Sequence, residues 1–189
     1  HSGGRASGWN NIGGLIRKGE LTNGIKHALA YSMPRLAKNQ WDPAAGKCPV
    51  WPAGSCDNGW ETTYGTSGNI YMGSLIAIPK SVDLNALRTT YGWATTTYNF
   101  AKALQDSGAY QADSGGSNIV FDAEPAADSE IAPRCETTTG EKLCGIRQVI
   151  SLLKVVTNSH ENGGRPSWGL GGGGTPLAPL APPFAPDPV

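Results

Sequence analysis

Apolar and polar positions alternate most clearly through Ile25-Lys26-His27-Ala28-Leu29-Ala30-Tyr31, where Ile25, His27, Leu29 and Tyr31 share one face. That period of two, reached through the Asn23-Gly24 turn, predicts a β-strand, with a short helix as the alternative. It follows a Gly-, Ser- and Asn-rich start over residues 1–14 and a first dense apolar segment from Gly13 to Leu21. Tyr71 to Pro79 reads as a second strand, stopped by a proline that has no amide to donate. Between Thr95 and Ser107 the spacing of Tyr98, Ala101 and Leu104 predicts a helix, and Gly108 ends it. Ala109 to Asp113 and Asn118 to Glu124 then read as strands joined by Ser114-Gly115-Gly116-Ser117. A second helix is predicted over 141–158, where Leu143, Ile146, Val149, Ile150, Leu153 and Val156 line one face and Asn162-Gly163 closes it.

Two stretches lack either period. Residues 34–70 combine Pro and Gly with Trp41, Trp51, Trp60 and Tyr64, and a loop of that length inside a domain points to function. Residues 171–189, GGGGTPLAPLAPPFAPDPV, read as an extended tail carrying Leu177, Leu180 and Phe184 as apolar anchors. The expected architecture is therefore a β-rich α+β fold, a sandwich or jelly-roll-like sheet with two helices packed on it. It occupies one domain over 1–170 and is followed by the tail.

Composition narrows the setting. Net charge is zero and only 16% of the 189 residues are charged, which argues against a basic nucleic-acid surface or a polybasic membrane contact. No apolar run approaches the roughly 20 residues of a membrane span. The opening residues carry no signal-peptide core, so any export signal is expected to lie upstream of His1. Cys48 with Cys56 and Cys135 with Cys144 each bracket a short loop rich in turn residues, which favours two local disulfides and an oxidising, extracellular compartment. Neither pair has CxxC spacing, and no structural metal or cofactor is expected.

Candidate chemistry follows from alternation. In Val120-Phe121-Asp122-Ala123-Glu124 the two carboxylates fall on one strand face, an arrangement that splits their protonation and suits glycoside hydrolysis, though strand ends also use such pairs as solvated caps. His27 is the candidate general base, with Asp113 as a partner to orient it and Tyr110 as a neighbouring phenol. Six Trp and six Tyr, with Asn, Gln and Asp beside them, favour sugars, whose rings have apolar faces and many hydroxyls. Trp51, Trp60, Tyr64, Gln105 and Arg17 are the candidate substrate contacts. An amino-terminal His1 with His27 or His160 would form a copper brace of the kind lytic polysaccharide monooxygenases use, but the flanking residues do not resemble that family. Gly171 to Gly174 follow no predicted strand and make no phosphate loop.

Two resemblances add to this. Arg17, His27 and Tyr110-Gln111 resemble, in order, the Arg, Gln-or-His and Tyr set of jelly-roll polysaccharide lyases, which implies proton abstraction beside a uronate carboxylate. Gly13 to Leu21, Ile25 to Leu29, Trp51-Pro52-Ala53, Met72-Gly73-Ser74, Ala103 to Tyr110 with Asp113, and Gly171 to Phe184 are together similar to a family of secreted bacterial and fungal proteins to which no reaction is attached. That resemblance implies a further amino-terminal portion before His1 and a partner fragment completing the fold; identical subunits are the other partner expected. It also marks Arg17, Glu20, His27, Gln105, Tyr110, Asp113 and Glu124. The expected function is action on an extracellular polysaccharide by hydrolase or lyase chemistry. The alternatives are a non-catalytic glycan-binding module and a structural subunit that docks through its tail.

Overall fold

Leu29–Ser32 (β1) and Ala109–Asp113 (β3) form the centre of the molecule, and their nearly continuous burial explains why both stretches are so apolar. The two run parallel, with Leu29 opposite Ala109 and Tyr31 opposite Gln111, and the register slips between Tyr31 and Ser32. In a computed structural model that describes residues 4–38, 48–130 and 145–156, they belong to a mixed five-stranded sheet. Its order is Val120–Phe121 (β4), β1, β3, Leu75–Ala77 (β2) and Lys154–Val155 (β5), and all other pairings are antiparallel.

The fold is α+β, as the pattern of elements implied. The sandwich or jelly-roll form is not what the described residues build, because a single sheet is present among them and its two faces are covered differently. Leu29, Tyr31, Ile76 and Ala109 pack beneath Thr95–Asp106, which buries Phe100, Ala101, Ala103 and Leu104. Glu20–Asn23 (α1), Trp60–Thr63 (α2) and Leu84–Tyr91 (α3) precede that helix, which is therefore α4, and Gly145–Ser151 (α5) follows it. Of these, α1, α3 and α5 surround α4. On the opposite face, where a sandwich would place a second sheet, irregular chain does the covering. Trp9 and Trp51 set their rings edge-on to Tyr110 at centroid distances of 5.8 and 6.4 Å. Ser7 N–H donates to the Ala112 carbonyl.

Several expected elements are present but shorter. The strand predicted from Ile25 begins at Leu29, the one from Tyr71 at Leu75, and the one from Asn118 covers only Val120 and Phe121. The helix expected over 141–158 is described only from Gly145, ends at Ser151, and gives way to β5. There Val156 N–H donates to the Leu75 carbonyl, so the β-branched Val155-Val156 pair is drawn onto a sheet edge. The helix α3 was not expected, although its signals are in the sequence. Asp83 accepts from the Asn85 and Ala86 amides, and Leu84 and Leu87 sit three apart. The predicted helix over 95–107 is present and stops where Gly108 takes φ 70°. Pro125–Glu130 forms a 3₁₀ turn after β4.

A second, smaller core lies under the disulfide loop, where Leu36, Tyr64 and Met72 pack with Cys48. Cys48 and Cys56 are bonded, as expected, with Cα atoms 6.1 Å apart. Cys135, Cys144, Trp41, His1, His160 and the 171–189 tail lie outside the described residues. Among the described residues no helix is long and apolar enough to cross a membrane.

Gly73 joins the disulfide loop to the sheet. It has φ 91°, and a Cβ there would stand 2.0 Å from the Val50 carbonyl oxygen. Gly73→Ala combines a left-handed backbone cost with a backbone overlap, so a loss of about 3 kcal/mol in urea unfolding is expected. A loss under ~1 kcal/mol would show that the loop does not approach β2 this closely.

Candidate functional site

The disulfide loop and the turn after it enclose an open cleft of about 350 Å³, lined by Cys48, Pro49, Ser55, Cys56, Asp57, Asn58, Gly59, Trp60 and Glu61. Local chemistry explains its shape. The disulfide closes one wall, Gly59 in the left-handed region turns the chain into α2, and Trp60 and Glu61 open that single helical turn. Beneath the cleft Tyr64 is buried, and its hydroxyl donates to Asp57 Oδ2. Burial, with Asp57 adding to it, pushes the Tyr64 phenol well above its ordinary range, so it stays a donor at neutral pH. The Ser114 side chain lies near the same hydroxyl, and Ser114 N–H donates to Asp113 Oδ1 at 2.8 Å. This links the cleft to the carboxyl end of β3. Of the expected substrate contacts Trp60 lines the cleft, and Tyr64 adjoins it through Asp57.

The expected catalytic residues are distributed otherwise. His27 precedes β1, and its Nε2 lies 3.1 Å from both Glu20 carboxylate oxygens while Nδ1 lies 3.0 Å from the Ala28 carbonyl. Both ring nitrogens face acceptors, which an imidazolium satisfies and which leaves no lone pair for a substrate proton. Glu20, not Asp113, orients the ring. Asp122 forms an ion pair with Arg5 at 2.7 Å. Glu124 accepts from the Lys18 amide, so the two carboxylates have separate partners. Burial pushes the Asp122 carboxyl up, Arg5 offsets this in part, and nearby Asp113 adds to the rise. Tyr110 lies under Trp9 and Trp51, where burial pushes its phenol up to about 12.

The remaining substrate contacts expected from the sequence are also dispersed. Gln105 is buried on α4 and its amide donates to the Pro79 and Val82 carbonyls. Arg17 sits beside the His27–Glu20 pair, its backbone N–H donating to Glu20 Oε2 at 2.8 Å. Trp51 packs on Tyr110 rather than lining the cleft. Among the described residues no group of three or more His, Cys, Asp or Glu is placed to hold a metal ion.

Sequence reasoning missed three contributors. Arg5, in the segment read as irregular, is buried and also donates to the Gly13 and Asn11 carbonyls at 2.6 and 2.8 Å. Asp57 and Glu61 follow Cys56 in a polar turn, Asp57-Asn58-Gly59, and nothing in their spacing tells of a cleft. No family model matches the chain, and neither a curated protein nor a solved structure matches it.

The His27–Glu20 pair sets a pH dependence. Its hydrogen bond to Glu20 raises the His27 pKa above the ordinary 6.5, against the effect of burial. Burial works to raise the Glu20 carboxyl, but hydrogen bonds from His27 and the Arg17 amide outweigh it and hold it below 4.5. The histidine contribution is therefore complete below about pH 6.5 and is lost as pH rises through the higher folded value. The carboxylate contribution is complete above about pH 4.5 and is lost as pH falls through the lower folded value. His27→Ala is expected to cost about 1 kcal/mol near pH 5.5, a small figure because both side chains keep some contact with water. It should also flatten the fall in stability as pH rises above about 6.5, read as urea midpoints. A variant that keeps the wild-type slope would show that the pair does not form.

Proposed function

We propose that the protein is an extracellular glycan-binding module whose contact surface is the disulfide-walled cleft. The observation that carries this reading is the co-location of Trp60 with Ser55, Asp57, Asn58 and Glu61 in an open cleft of about 350 Å³. A sugar ring offers an apolar face to an indole and a rim of hydroxyls to carboxylates, an amide and a hydroxyl, and this cleft holds all of those groups. Its volume lies at the small end of ligand sites, which suits one or two sugar units of a longer chain.

Binding is favoured over hydrolase or lyase chemistry by the engagement of the acid–base candidates. His27 is paired with Glu20, Asp122 with Arg5 and Glu124 with the Lys18 amide, and none of them lines the cleft. A general base needs hydrogen-bond reach to the proton it removes. The disulfide that forms one wall fits an oxidising compartment, which supports secretion.

Trp60→Ala is expected to weaken binding to its preferred oligosaccharide at least ~10-fold, about 1.4 kcal/mol, and, because the ring also packs on the Leu36, Tyr64 and Met72 core, to cost roughly 1–2 kcal/mol in urea unfolding while the chain stays folded. Titration calorimetry against a panel of defined oligosaccharides measures the first and equilibrium unfolding the second. Release of reducing ends or unsaturated products by the wild-type chain on any panel member would return the enzyme reading to first place. Binding that survives Trp60→Ala intact would move the site elsewhere.

A further inference from the structure

We infer that the sugar taken by this cleft carries a free amino group, as in a glucosamine-type glycan, and that its ammonium sits between Asp57, Glu61 and the face of Trp60. This rests on the glycan-binding reading above and names the substrate class within it. Among the described lining residues the titratable side chains outside the disulfide are Asp57 and Glu61, and neither Lys nor Arg is present. The chain as a whole has 15 acidic and 15 Lys or Arg residues, so this excess of negative charge is local to the cleft.

Three ligand chemistries can be weighed against that lining. A uronate would bring a carboxylate toward two others with no cation to receive it, which is repulsive. Arg17, the cation that a uronate site would have used, stands beside His27 and Glu20 instead. A neutral sugar would meet acceptors at Asp57 and Glu61, and Asn58 as the one amide donor. An ammonium suits both carboxylates and the indole, and leaves Asn58 for a sugar hydroxyl. The carboxylates receive charge-assisted hydrogen bonds and the indole face receives the cation, an attraction that indole provides better than the other aromatic rings. The Tyr64 hydroxyl donates to Asp57 Oδ2 and holds that carboxylate in place before the ligand arrives. Because burial keeps Tyr64 neutral, it contributes orientation and no further charge.

Calorimetry with four matched tetrasaccharides, of glucosamine, N-acetylglucosamine, glucose and galacturonate, tests this, with trilysine as a charge-only competitor. The glucosamine tetramer is expected to bind at least ~10-fold more tightly than the N-acetylated and glucose tetramers, and its affinity should fall as salt rises. Glu61→Gln and Asp57→Asn, which keep shape and an acceptor oxygen, should each bring that preference down about 10-fold while the urea midpoint stays put. Equal binding of the neutral tetramers would overturn the amino-sugar assignment and leave glycan binding standing. Trilysine displacing the tetramer at equal concentration would overturn it as well, because the cleft would then read charge and not sugar. If none of the four tetramers binds, the glycan reading itself fails.

Discussion

Parallel pairing of β1 with β3 puts two strands that run the same way side by side, so the chain between them must travel back along the sheet before it can pair. The intervening stretch carries the disulfide loop, β2, α3 and α4, and each is positioned by that return. Because both strands are buried on both faces, the chain must supply cover on each side. One side receives α4 and the helices around it. The other receives the amino-terminal segment and the disulfide loop, tied down by Trp9 Nε1 donating to the Pro52 carbonyl and Gly54 N–H donating to the Ser7 carbonyl.

A loop layer over a sheet brings backbone polar groups toward the interior, where each needs a partner. Charged side chains answer that need here. Arg5 reaches two carbonyls of its own segment and Asp122 at the end of β4, closing the segment onto the sheet. Around residues 17–22 the amides of Arg17, Lys18, Gly19 and Thr22 are received by Glu20, Glu124 and Glu130. On α4 the same logic applies, with Asn99 donating to the Leu21 and Thr22 carbonyls and so docking α1. These contacts tie the amino-terminal segment, α1 and the end of β4 to one another through side chains that are far apart in sequence.

The cleft is a by-product of the same arrangement. Once the chain leaves β1 it must cross above the carboxyl ends of the two parallel strands, and the Cys48–Cys56 loop and the Asp57-Asn58-Gly59 turn do this over the small core of Leu36, Tyr64 and Met72. Of the residues packed in that core, Cys48, Cys56 and Trp60 also line the cleft. Trp60 and the carboxylates of Asp57 and Glu61 therefore share one open surface.

Local periodicity determined the existence and type of the elements that alternate or repeat cleanly. β1, β2, β3 and α4 could be read from Leu29, Tyr31, Leu75, Ala109, Tyr98, Ala101 and Leu104 because each pattern reports directly which face is buried. The Cys48–Cys56 bond was legible too, because its loop closes on itself and needs nothing distant. Strand order, the conversion of Leu153 to Val156 from expected helix to sheet edge, and the partners of His27, Asp122 and Glu124 were decided by tertiary structure. Alternation tells which side of a strand a carboxylate takes, but the Asp122 partner is Arg5, 117 positions earlier, and the Glu124 partner is an amide 106 positions away. Sequence spacing carries no information over such separations. Only the pairing of strands brings those groups within hydrogen-bond reach, and that is the physical reason why their partners could not be read from the sequence.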